Sequence, residues 1–207
     1  MDLRKIILIA FIFSGIASLI YEVTWIRPLQ FLFGSTTYIL AIIFGAFMAG
    51  LSLGAYIISK RVDRIKDLPK TYALLEIGIG IYGVLLLSVF NVLPGIYDAI
   101  YALHGDFYIF KTIQFLIIFL VLLIPTTLMG ATFPIVARFY TKEEIGKHIG
   151  EVYSANTLGA IIGSFGAGFI LIPLIGIKGS IIFAGSINIL IGSVVLWRAD
   201  KGGRDGK

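Results

Sequence analysis

The chain has 207 residues, of which 58% are hydrophobic and 14% charged, with a mean hydropathy of +0.97 and a formal charge of +5. Soluble domains carry about 25% charged residues, so this composition excludes a soluble fold of this size and predicts an all-α polytopic membrane protein. The absence of cysteine excludes disulfides and thiolate chemistry, and two isolated histidines, His104 and His148, offer no histidine-rich metal site, so no cofactor is expected.

Apolar runs of about 20 residues suffice to cross a bilayer, and six are predicted: residues 6–26, 37–59, 72–93, 110–137, 149–174 and 180–197. They make one six-helix domain over residues 1–198, followed by a polar tail over 199–207. Arg4 and Lys5 precede the first run as in a signal peptide. The run outlasts signal length and shows no cleavage site, so it reads as a retained helix.

Within that first span, Glu22 lies about 24 Å from Ile6 in a core about 30 Å thick. A helical wheel groups it with Ser14, Ser18, Tyr21 and Trp25 as one polar and aromatic stripe expected to face the bundle interior. Two readings of Glu22 stand open: a carboxylate hydrogen-bonded to a neighbour or paired with Arg27, and a cation or proton site. Pro28 disfavours the α conformation at Arg27, so the first helix is expected to end or break there in an irregular polar turn.

In the second span Ala46, Gly50 and Gly54 form a small-residue stripe, followed in the third by Gly80 and Gly83 and in the fifth by Gly159, Gly163, Gly166 and Ala167. Small residues let helix backbones approach closely in lipid; such faces serve fixed packing, or sliding during a transport cycle. Glu76 is expected about one turn inside the third helix, where the helix dipole favours a carboxylate. Pro125 and Pro134 interrupt the fourth span and Pro173 the end of the fifth.

Asn156 in the fifth span and Asn188 in the sixth read as interhelical hydrogen-bond partners or as ligands. Together with Tyr21, Glu22, Arg27 and Glu76 they form the candidate substrate or ion site. Two carboxylates and two carboxamides lining one polar cavity would suit a cationic or amine solute. No nucleophile and base stand at a spacing that suggests an intramembrane enzyme.

Fourteen of the seventeen basic residues fall before the first span or after the second, fourth and sixth, leaving Arg27, Lys111 and Lys178 for the other side. The positive-inside rule then places both termini in the cytoplasm, in the inner membrane of the cell. The net charge is a topology signal, and no nucleic-acid partner is expected.

The connection after the second span, Ser59-Lys-Arg-Val-Asp-Arg-Ile-Lys66, follows Gly50 and Gly54. It resembles the cytoplasmic signature between helices two and three of the major facilitator superfamily, with Asp63 and Arg64 at the positions of the aspartate and the base after it. Ser59 stands where that pattern has glycine. The resemblance implies a loop latch built from Gly54, Asp63 and Arg64.

Four further stretches, Ser14 to Arg27, Phe33 to Tyr38, Leu128 to Pro134 and Val152 to Ala160, resemble in order the membrane region of spermidine-synthase-like integral membrane proteins. That region is itself similar to half of a major facilitator. The resemblance implies a six-helix half-transporter that works as a homodimer or with a paralogous partner and moves a small, polyamine-like solute. The soluble aminopropyltransferase domain of that family has no counterpart in these residues, so its enzyme activity is not expected. The other function the resemblance allows is a membrane anchor for a separately encoded aminopropyltransferase-like enzyme.

Overall fold

The computed structural model describes residues 2–34, 37–103, 107–141 and 145–204. His104 lies outside them, as do Ser35 and Thr36 of the stretch from Phe33 to Tyr38 and two of the basic residues counted above, Lys142 and Lys207. Every described element is a helix: α1 (Leu3–Phe33), α2 (Thr37–Ser59), a 3-10 turn (Val62–Arg64), α3 (Leu68–Leu103), α4 (Phe107–Tyr140), α5 (Ile145–Gly166), a π turn (Ala167–Leu171) and α6 (Ile172–Arg204). This outcome follows from the sequence: long apolar runs in an apolar solvent satisfy their backbone groups within a helix. Among the described residues, five stretches are long and apolar enough to cross a membrane, which fits a multi-pass membrane protein. Large apolar side chains such as Phe165, Phe169 and Leu174 cover the outside.

The last stretch, His148–Lys201, is 54 residues long. A separate fifth and sixth span were expected here; the two helical segments adjoin, interrupted by the non-helical backbone of Gly176 rather than by a longer loop. As one straight rod it would measure about 80 Å, against a hydrocarbon core of about 30 Å. It is not straight. Gly176 adopts φ 71° and ψ 179° within α6, a conformation essentially confined to glycine.

Contacts on either side of Gly176 run in opposite senses. Gly159 and Gly163 of α5 abut Ile12 and Ile16 of α1 in the same order along both helices. Beyond the break, Gly185 packs by Gly80 and Gly192 by Ala73, in reversed order along α3. Since α1 and α3 themselves run in one sense, with Phe11 by Tyr72 and Tyr21 by Gly83, the chain turns back at Gly176.

Three tight helix pairs organise the bundle: α2 with α4, α3 with α6, and α1 with α5, while α1 also packs on α6. Glycines set the closest approaches. A Cβ built on Gly54 would lie 1.9 Å from the Thr127 carbonyl oxygen of α4, and one on Gly163 would lie 2.2 Å from that of Ile16. The small-residue stripes thus bury their faces against neighbouring helices, on backbone at Gly54, Gly159 and Gly163 and on side chains at Gly50 and Gly83. Gly166 is the exception, with open space around it.

Pro28 does not end α1. The helix continues to Phe33 and stops at Gly34, whose φ of 97° turns the chain while its N–H bonds the Gln30 carbonyl at 2.9 Å. Proline removes one backbone donor, but in an apolar setting the flanking helix bonds have no competing water and persist. Pro125 and Pro134 likewise lie inside α4.

Candidate functional site

The polar stripe of α1 divides between two sites. At about 100° per residue, the adjacent residues Tyr21 and Glu22 point to different neighbours. Ser18 and Glu22 turn towards α2, α4 and α5; Tyr21 turns into the core against α3 and α6, where the buried Trp25 stacks on it with ring centroids 4.8 Å apart. Ser14 lies between the two groups and belongs to both.

On the first side is a cavity of about 550 Å³ whose floor is α1 and whose walls are α2, α4 and α5. Its polar lining comes from Ser14, Ser18, Glu22, Thr132 and Asn156, and its apolar lining includes Phe47, Met48 and Phe133. Glu22 is partly buried, while Arg27 is exposed; no ion pair joins them among the described residues. The pairing of Glu22 with Arg27 is therefore not made. Asn156 reaches this cavity because Gly15, Gly159 and Gly163 bring α1 and α5 into backbone contact.

On the other side, Glu76 is wholly buried. The Asn188 side-chain amide donates to its Oε2 at 2.6 Å, linking α6 to α3. Ser14 and Tyr72 lie close to the same carboxyl group, yet Oε1 and the Tyr72 hydroxyl form no hydrogen bond. Asn188 Oδ1 and the Tyr21 hydroxyl are also buried without a partner.

The single cavity expected to hold both carboxylates and both carboxamides is thus two sites, Glu22 with Asn156 and Glu76 with Asn188. Glu76 also lies deeper than one turn, because α3 begins at Leu68, eight residues earlier. Tyr72 and Thr132 were not singled out from sequence. For Tyr72 a signal existed, since residues 72, 76, 80 and 83 recur at helical spacing on one face.

At the loop after α2, Asp63 accepts a hydrogen bond from Arg138 Nε at 2.7 Å and pairs with it, joining the 3-10 turn to the end of α4. Arg64 is exposed and makes no such pair among the described residues. Gly54 serves the α2–α4 contact. At the same end of the bundle the Tyr140 hydroxyl donates to the Arg4 carbonyl, tying α4 to the start of α1.

No family model, no curated protein and no solved structure matches this chain.

Proposed function

We propose that this protein is a transporter-like half-module that binds a small cationic solute in the cavity beside Glu22. The observation that carries the reading is that cavity: about 550 Å³, within the usual range for small-molecule sites, with one carboxylate, a carboxamide and three hydroxyls on an apolar wall. A carboxylate at membrane depth usually marks a solute or ion path, and its negative charge selects for a cation. A polyamine-like solute suits this chemistry, in keeping with the resemblance to the membrane region of spermidine-synthase-like proteins and to half of a major facilitator.

In this reading α5 and α6 cross the membrane separately, turning at Gly176, which makes six spans. Basic-residue parity then places both termini in the cytoplasm and the bundle in the inner membrane. The cavity is lined by four helices of one chain and is half of a major-facilitator-like plan, so enclosing a path requires a second copy or a paralogue; a homodimer is the simplest assembly.

The test is uptake of labelled spermidine by proteoliposomes holding the purified full chain. Uptake that is lost in Glu22→Gln, with unfolding stability unchanged, is the expected result. No uptake by either form would sink the transport reading and leave the anchor for an aminopropyltransferase-like enzyme as the remaining function.

A further inference from the structure

Glu76 has no part in lining the cavity, and its setting is unusual for a carboxylate. It has no solvent exposure, and the groups facing it are neutral: Ser14 and Tyr21 from α1, Tyr72 from its own helix and Asn188 from α6. The ion pairs among the described residues are Arg138 with Asp63 and His148 with Glu151, and Glu76 is in neither. A buried carboxylate without a cation is far costlier than a buried carboxylic acid, because the charge loses its hydration and gains no opposite charge in return.

The hydrogen-bond geometry points the same way. Oε2 is already an acceptor for the Asn188 amide, whereas Oε1 has no hydrogen bond although it is buried. A proton on Oε1 converts that idle acceptor into a donor, and the hydroxyl oxygens around it can accept. We propose that Glu76 is a proton-binding site, loaded from the Glu22 cavity through the Ser14 hydroxyl.

Ser14 makes the route short, since it lines the cavity and its side chain also lies close to the Glu76 carboxyl group. Loading is the simple association of a proton from cavity water with the carboxylate, and unloading is its reverse. The site deepens the transport reading by supplying a coupling ion, and it rests on that reading only for the link to solute movement.

The experiment is infrared difference spectroscopy on the full chain in lipid at neutral pH, in light and heavy water. The proposal expects a protonated-carboxyl band that is lost in Glu76→Gln, retained in Glu22→Gln, and slower to exchange its proton for deuterium in Ser14→Ala. Absence of any Glu76-dependent band overturns the site. A band whose exchange is unchanged in Ser14→Ala overturns the route.

Should Glu76→Gln be poorly folded, the wild-type chain still decides the matter through thermal unfolding at fixed pH with sodium or potassium added. A saturable stabilisation by either ion means that a metal cation balances the carboxylate, which overturns the proton assignment; no ion dependence upholds it. Because none of these readouts involves uptake, failure of the transport reading and failure of the proton site are distinguishable.

Discussion

Asn188 donates its side-chain amide to Glu76 across 2.6 Å, joining residues 112 positions apart in sequence and buried at zero exposure on both sides. The bond ties α6 to α3 at the level where Gly80 and Gly185 let the two helices approach.

Removing the amide leaves the Glu76 carboxyl group with one fewer partner and nothing to replace it. Asn188→Ala is expected to lower stability by about 1–2 kcal/mol, at the upper end for hydrogen bonds between membrane helices. Unfolding in mixed detergent micelles measures it. A double-mutant cycle with Glu76→Gln assigns the loss to the pair; a coupling near zero would show that Asn188 matters only for its packing.

Three glycines separate three physical effects. Gly163→Ala forces α1 and α5 apart, since its Cβ would lie 2.2 Å from the Ile16 carbonyl oxygen, and is expected to cost about 1–3 kcal/mol. Gly166→Ala meets open space and is expected to stabilise by up to about 1 kcal/mol through helix propensity alone. At Gly176 there is also open space, but the backbone at φ 71° admits no side chain without strain, so Gly176→Ala is expected to cost about 1–3 kcal/mol. Equal effects at the three positions in the same unfolding assay would contradict this account.

The Asp63–Arg138 pair has side chains 77% and 47% exposed, so water and salt screen it. Arg138→Ala is therefore expected to change stability by under about 1 kcal/mol, and less at high salt. Thermal unfolding at two ionic strengths tests this. A large, salt-independent loss would mean that the contact is shielded from water, contrary to its exposure.

Much of the plan was legible because it depends on local properties of the chain. The runs that became α1 to α4 stand out as apolar segments, and the glycine stripes of α2, α3 and α5 could be read from spacing because close helix approach needs small residues at regular intervals. Helix ends were less legible. Proline's local preference predicted a break at Arg27, whereas the continuous apolar surroundings held α1 intact to Phe33.

The class of structure is written in the composition: long apolar runs without water to satisfy their backbones must become helices. The sequence also marked Glu22, Glu76, Asn156 and Asn188 as polar groups that those helices would have to accommodate. How they divide depends on which helices pack against each face of α1. The polar stripe of α1 spans about 100° from Tyr21 to Glu22. A helix with neighbours on both sides sends the two edges of such a stripe into different surroundings, so Glu22 faces a cavity while Glu76, meeting the other edge, is sealed in the core.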